Sequence, residues 1–483
     1  MSCNKIFKSV ILYTIILALA VFPRPSHAIT LQEEDELARE FLKVVRKQFQ
    51  MIQDPVILSY VDAVGKRIMA QVPNAPFQGR FYVFKSNVYN AFAAPAGHIF
   101  ISSGIMSAMD SEDELAGILA HEISHVVCRH ISDKIERASK VNLVALAGMV
   151  AGIFLGAAGA GAAANAVSVG SMAAGQSAML AYSRQDERQA DNIGLQYLND
   201  AGYSARGLLA ILKKIRAKTW FGPEEIPTYL STHPATEERI SRIHAWIEDH
   251  EPAESKPMAV PYDFGMVHAR LNALYGDTAD ALKQFSARVA QDPSDPVAHY
   301  GYALALSGAN RWEESIAHLK KALKQRAFDP AILSDLGRVY YLSGRYEEAR
   351  SVLEGAVSID PNLDYALLYL GRTRLEMQNY AGAVEALQKL LESAPDHPTV
   401  RYFLGEAYGR MGRMEKAHYQ LGLYYKRKGE FKTAAFHLSR VLKATADEDK
   451  KDEIKKRLAE IDEEEAEARR EAEATEPRRK KLR

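Results

Sequence analysis

Apolar residues return every three or four positions through residues 31–75, first in the charged run Glu33 to Phe49 and again from Pro55 to Ala70, which Pro73 closes. That spacing gathers the apolar side chains on one face and predicts two amphipathic helices. The pattern then shortens. Phe81-Tyr82-Val83-Phe84 and His98-Ile99-Phe100-Ile101 are aromatic and β-branched, and the stretch Asn90-Ala91-Phe92-Ala93-Ala94-Pro95-Ala96-Gly97 between them turns at Pro95 and Gly97. A small sheet is expected there. A helix should follow it, because Leu115, Ile118, Leu119, Ile123, Val126 and Val127 keep helical spacing behind a capped acidic start at Asp110, Ser111, Glu112 and Asp113.

From Val141 to Leu180 charge is scarce, and Gly and Ala crowd in. The stretch is long enough to raise a membrane-crossing helix, but Gly156, Gly159, Gly161 and Asn165 dilute its apolar character. Close-packed helices or a lid are the favoured reading over insertion. A helical pattern resumes in Tyr182-Ser183-Arg184-Gln185-Asp186-Glu187-Arg188-Gln189-Ala190-Asp191 and runs through Leu198.

Beyond Tyr262 the chain repeats itself. Ala269, Ala303, Gly337, Gly371 and Gly405 are spaced by 34 residues, as are Ala281, Ser315, Ala349, Ala383 and Ala417. Small residues at two fixed positions of such a period are the tetratricopeptide pattern, since they stand where paired helices cross closely. Gly276, Asn310, Gly344 and Gly412 fall at the turn between helices, with Gln378 as a departure; Trp312, Tyr346 and Tyr380 share a packing position. Leu421-Gly422, Tyr425, Gly429 and Ala434 restart the pattern after half a period, so one helix is expected to serve two neighbouring repeats. The tail from Asp447 to Arg483 is nearly continuous charge and reads as a solvated helix fraying into disorder.

Composition narrows the class. A chain of 483 residues suggests two or three domains, and 61 basic against 61 acidic side chains favour neither nucleic acid nor an anionic membrane as partner. Residues 1–28 read as a cleaved signal peptide, with Lys5 and Lys8, an apolar run from Val10 to Phe22 and a small-x-small site at Ser26-His27-Ala28. Cys3 lies inside it. Cys128 is then the single cysteine of the mature chain, which rules out an internal disulfide and is expected to be a small buried helix residue.

The chemistry lies in His121-Glu122-Ile123-Ser124-His125. Residues four apart share a helix face, so both imidazoles can reach one metal, while Glu122 stays free as a general base. Glu187 offers a third ligand beyond a long connection, and Asp191, one turn later, could accept the second ring N–H of a liganding histidine. Taken alone, that second cluster would read as a solvated charged helix.

Residues 31–250 resemble the M48 family of zinc metallopeptidases. The resemblance rests on Asn90-Ala91-Phe92-Ala93 with Pro95 and Gly97, on Leu115 to His125, on Ser183 to Asp191, and on Ser231-Thr232-His233-Pro234-Ala235-Thr236-Glu237-Glu238-Arg239-Ile240. Ala96 departs from it, standing where the family commonly has a second Gly. The resemblance implies one zinc ion on His121, His125 and Glu187, Glu122 as base and Asp191 behind the ligands. It further implies His233 and Arg239 near the metal as oxyanion stabilisers, with His233 also a candidate fourth ligand that plugs the site. Asn90, Ala91 and Phe92 would form an edge strand for extended substrates, and Phe92 reads equally as core. The implied architecture is an α+β zincin-like (gluzincin) domain, mainly helical with a small sheet, at 29–255; an all-α tetratricopeptide solenoid at 262–445; and a charged tail at 446–483. The implied function is a periplasmic zinc endopeptidase of a Gram-negative bacterium, peripheral to the outer membrane. It would act on unfolded or misassembled proteins, with the repeats engaging the outer-membrane β-barrel assembly machinery. The alternative is a chaperone or assembly adaptor with latent proteolysis; a membrane-embedded CAAX-type peptidase is disfavoured by the lack of several long apolar spans.

Overall fold

The computed structural model describes residues 30–75, 77–137, 182–220, 228–234, 237–250, 263–393 and 398–480. The expected signal peptide and the Val141–Leu180 segment lie outside these residues. The chain divides into two compact units, Met1–Val260 and Pro261–Arg483. Among the described residues no helix is long and apolar enough to cross a membrane.

The first unit opens with α1 (Leu31–Gln48), started by a capping box in which Thr30 and Glu33 satisfy each other's backbone N–H, and α2 (Pro55–Met69), capped by Asp54. Leu37, Phe41 and Val45 line one face of α1 and pack with Phe84, Phe92 and Phe100 of the sheet. That sheet has the order β1-β3-β2, built from β1 (Arg80–Phe84), β2 (Ala91–Ala94) and β3 (His98–Ser102). β1 runs parallel to β3 with Phe81 opposite Ile99; β2 runs antiparallel with Phe92 opposite Phe100.

β2 pairs only with β3 among the described strands, so it is an edge. Its side chains are not offered to a substrate, however. All four residues are buried, and Phe92 stacks on Phe100 at 4.9 Å and meets Phe41 edge-on at 6.0 Å. Phe92 is therefore core, and Asn90 and Ala91 are buried with it. Between β2 and β3, Ala96 adopts φ 57°, ψ 30°, the left-handed region in which a Cβ costs roughly 1–2 kcal/mol. Gly would adopt this conformation without that cost.

After α3 (Ser103–Ser107) comes α4 (Glu112–Val127), capped by Ser111, whose side chain accepts from the Glu114 N–H. Cys128 is its half-buried C-cap rather than a buried helix residue, and burial pushes the thiol up to about 11. Then follow α5 (His130–Arg137), α6 (Arg184–Asp200), α7 (Arg206–Trp220), α8 (Thr228–Thr232) and α9 (Glu237–Asp249). α4 lies close against α6 because Gly194 has no Cβ; one built there would stand 3.2 Å from the Ala120 carbonyl oxygen. That approach brings the start of α6 to the middle of α4.

The second unit is helical throughout its described residues. Pairs α10 (Phe264–Tyr275) and α11 (Thr278–Gln291), α12 (Pro296–Gly308) and α13 (Trp312–Gln325), and α14 (Pro330–Leu342) and α15 (Tyr346–Ile359) are followed by α16 (Asp364–Glu376) with α17 (Tyr380–Ser393) and α18 (Pro398–Arg410) with α19 (Met414–Arg427). Asp295-Pro296 and Asp329-Pro330 start helices with an N-cap carboxylate and a proline that needs no donor. Gly344 and Gly412 turn at φ 77° and 72°, and Gln378 takes the same left-handed conformation at φ 60°. Arg270, Tyr300 and Asp335 form a buried network: Arg270 pairs with Asp335 and donates to the Tyr300 hydroxyl at 2.9 Å, and that hydroxyl donates to Asp335 at 2.8 Å.

α19 packs against both α18 and α20 (Phe431–Ala444). It does serve two repeats. The tail forms the helix α21 (Glu448–Lys480), and its first half docks instead of standing solvated as expected. Ile454 and Ile461 are buried with Leu438 and Val441 of α20, and Leu458 packs beside them. Three apolar residues one and two turns apart were hidden among the charges.

Candidate metal centre

His121 and His125 sit one turn apart on α4, Glu187 on the first turns of α6, and His233 just beyond α8, where its N–H is held by the Tyr229 carbonyl at 2.7 Å. All four are buried, and one ligand atom from each lies within 4.8 Å of the others. His121 Nε2 is 3.1 Å from His125 Nε2, 3.3 Å from His233 Nδ1 and 3.5 Å from Glu187 Oε2. Glu187 Oε1 is 3.5 Å from His125 Nε2 and 2.9 Å from His233 Nδ1.

These spacings test the fit of a metal. Ligand bonds of about 2.0–2.1 Å in a tetrahedron give edges of about 3.3 Å, the length around which the observed distances cluster. Three imidazole nitrogens facing one another and a carboxylate cannot all be hydrogen-bonded at once. They are satisfied together by a cation at their centre, so the residues fit a four-coordinate metal.

The surroundings favour positive charge there. Burial and Arg239 act against a charged His121, yet its bonds to Asp191 and Glu187 outweigh them and lift it to about 9. Burial alone would raise Glu187, but Arg239 and His233 hold it well below the usual carboxylate range. Burial holds His125 well below its ordinary value.

Behind the ligands, Asp191 Oδ1 is 3.1 Å from His121 Nδ1, where it accepts that ring's N–H when Nε2 faces the centre. Arg239 lies beside the ligands, its Nη2 3.1 Å from both ring nitrogens of His121. Its guanidinium bridges Glu187 Oε2 at 2.6 Å and Asp191 Oδ1 at 2.8 Å, and Arg242 adds a bond to Asp191 at 2.8 Å. His125 has its own support, which the sequence reading missed. Its Nδ1–H faces His130 Nδ1 at 2.9 Å, leaving His130 Nε2–H to donate to Gln189 Oε1 at 3.3 Å.

Two tyrosines were also missed. Tyr229 stacks on His233 at 4.7 Å and 18°, one turn before it, a spacing that could have flagged it; Tyr182 lies 4.7 Å from His233 and 3.7 Å from His125 by ring centroid. Both hydroxyls, both Glu122 oxygens and His233 Nε2 are buried without a hydrogen-bond partner among the described residues. Glu122 Oε1 stands 3.6 Å from His233 Nε2. The Glu122 carboxylate thus reaches the cluster with no hydrogen-bond partner among the described residues, an arrangement that can take a proton from a molecule entering there.

Residues 58–247 match Peptidase family M48, and residues 273–334, 308–370 and 368–435 match tetratricopeptide repeats. The chain is similar to the beta-barrel assembly-enhancing protease of Yersinia pestis, 24% identical over 389 residues that cover 80% of this chain and 79% of that protein. A putative beta-barrel assembly-enhancing protease of Vibrio cholerae is 25% identical over 392 residues, with 80% and 79% covered. The mitochondrial metalloendopeptidase OMA1 of Schizosaccharomyces pombe is 28% identical over 225 residues, 46% of this chain and 63% of that one.

Proposed function

This chain is a metalloprotease with an M48 peptidase domain followed by tetratricopeptide repeats, and on that premise we propose that it is a zinc-dependent endopeptidase of protein quality control. The observation that carries the reading is the convergence of His121, His125, Glu187 and His233 at tetrahedral spacing. His121, His125 and Glu187 are the residues that would hold zinc. Zinc bound there supplies the Lewis acidity that brings the pKa of water down to about 7.

Glu122 is the general base. It takes a proton from the attacking water as the water oxygen bonds to the peptide carbonyl carbon, then returns it to the leaving nitrogen as the C–N bond breaks. Asp191 and Arg239 are positioning residues: Asp191 fixes the His121 tautomer, and Arg239 ties Glu187 to Asp191. His233 keeps the enzyme latent, since its Nδ1 takes the corner that the attacking water needs and Tyr182 and Tyr229 hold its ring there. Once released, His233 is the group that stabilises the oxyanion.

We assign the enzyme to the periplasm of a Gram-negative bacterium, a reading supported by the apolar N-terminal segment ending at Ala28 and by the similar bacterial proteases. Its substrates are misassembled or stalled outer-membrane β-barrel proteins, whose assembly the repeats assist; the names of those relatives support this. The closed site favours a second reading, an assembly adaptor in which cleavage is secondary. One measurement decides the chemistry. In the opened His233→Ala background, adding Glu122→Gln keeps the zinc and loses about a hundredfold or more of casein cleavage; undiminished cleavage would refute the assignment.

A further inference from the structure

Tyr182 carries a hydroxyl that the resting fold leaves unused. The residue is buried, two positions before α6, and its oxygen has no hydrogen-bond partner among the described residues. Taking a hydroxyl out of water unpaired costs stability, so a buried donor of this kind calls for an acceptor that the resting protein lacks. The ring itself is firmly placed. It lies 3.7 Å from the His125 ring and 4.7 Å from that of His233, with the Lys134 ammonium 3.8 Å from its centre and Phe92 and Phe100 in the same apolar cluster. Burial first, then the Glu122 and Glu187 carboxylates, push the hydroxyl well above its ordinary value, so it stands within the field of the carboxylates at the metal centre.

Tyr229 is the other unpartnered phenol there, but it is bound to the plug. It lies on α8, stacks on His233 and holds the His233 N–H with its carbonyl at 2.7 Å. Tyr182 belongs to the other side. Its backbone N–H meets the Thr232 carbonyl at 3.1 Å, while its side chain packs on His125 and Lys134. When His233 leaves its corner, Tyr229 leaves with it and Tyr182 remains beside the ligands with its O–H unspent. A preplaced donor of this kind stabilises charge that develops during a reaction, because no reorganisation is needed when the charge appears.

We propose that Tyr182 is a catalytic residue whose hydroxyl donates a hydrogen bond to the peptide oxyanion, an assignment that rests on the endopeptidase reading. As the water oxygen bonds to the carbonyl carbon, the C=O π pair moves onto the carbonyl oxygen. The Tyr182 O–H shares its hydrogen with that oxygen and keeps its proton, and the pair returns to the carbon as the C–N bond breaks. The donor is still present in a chain that lacks His233.

The test compares zinc-loaded, full-length His233→Ala with the same chain carrying Tyr182→Phe, which keeps the ring and removes only the hydroxyl. On casein, kcat falls about a hundredfold. KM stays within about twofold, since the bond is made in the transition state alone. Zinc affinity, read by chelator competition, is unchanged. The readout apart from turnover is the binding of a peptide with a phosphinate in place of the scissile amide, its sequence taken from a casein bond that the opened chain cuts. Calorimetry shows this tetrahedral anion bound about tenfold more weakly, or worse, after Tyr182→Phe. Undiminished kcat, a rise in KM alone, equal phosphinate affinity, or zinc lost along with the hydroxyl would each overturn the role of Tyr182 and leave the protease reading standing. Absence of casein cleavage by His233→Ala itself would instead bring down the protease reading, and the role of Tyr182 with it.

Discussion

Asp191 and His121 meet carboxylate to ring nitrogen, Oδ1 to Nδ1 at 3.1 Å, with no water-accessible surface on either side chain. The contact fixes which nitrogen of His121 is left to face His125, Glu187 and His233. Asp191→Asn keeps the size and removes the charge that favours this tautomer, so it is expected to weaken zinc affinity about 10- to 100-fold. Competition with a chelator measures this; parental affinity would remove Asp191 from the positioning role.

The His233 contacts predict a gain of function. His233→Ala vacates one of four corners and leaves His121, His125 and Glu187 in place. Zinc should remain bound, though less tightly, and casein cleavage should rise above the parent's. A zinc-loaded variant no more active than the parent on protein substrates would mean that His233 is needed for chemistry more than it blocks it.

In the repeats, Asp335→Leu leaves Arg270 charged, buried and without its main partner. Such a break costs about 3–5 kcal/mol, and removing Arg270 as well spares its buried orphan charge, while Arg338, which also meets Asp335 at 3.3 Å, loses that partner in both variants. Urea unfolding of Asp335→Leu and of the double variant Arg270→Met, Asp335→Leu should therefore show the double as the more stable of the two. The reverse order would mean that the network contributes through its individual hydrogen bonds.

Gln378 turns at φ 60° where Gly344 and Gly412 do the same work without a Cβ. Gln378→Gly should stabilise the protein by about 0.5–1 kcal/mol, visible as a melting temperature about 2 °C higher. An unchanged or lower value would show that the Gln378 side chain contributes contacts that match the strain.

The sequence was most informative where geometry is local. His121 and His125 are one helical turn apart on any helix, and the 34-residue spacing of small residues follows from helices that must cross closely, so both could be read without coordinates. Residues joined only by folding were harder. His130 and Tyr182 carry no motif of their own, and their contacts with His125 depend on how α5 and the start of α6 return to α4. Arg239 could be named as a neighbour of the site, but its bridge from Glu187 to Asp191 is a tertiary contact that no local spacing announces. Phe92 was left open between core and substrate, and the aromatic stack with Phe100 and Phe41 decides for core.

The docking of Ile454 and Ile461 onto α20 bears on how the array ends. Repeats of this kind are held by nearest neighbours alone, so the last one has a face with nothing beyond it, and unravelling starts there. The first half of α21 is the latch on that open end, greasy towards Leu438 and Val441 and charged towards water. A tail that looks expendable by composition is thus the part that allows a stack of nearly interchangeable units to stop, and trimming the chain at Thr445 would let it fray from its last helix inwards.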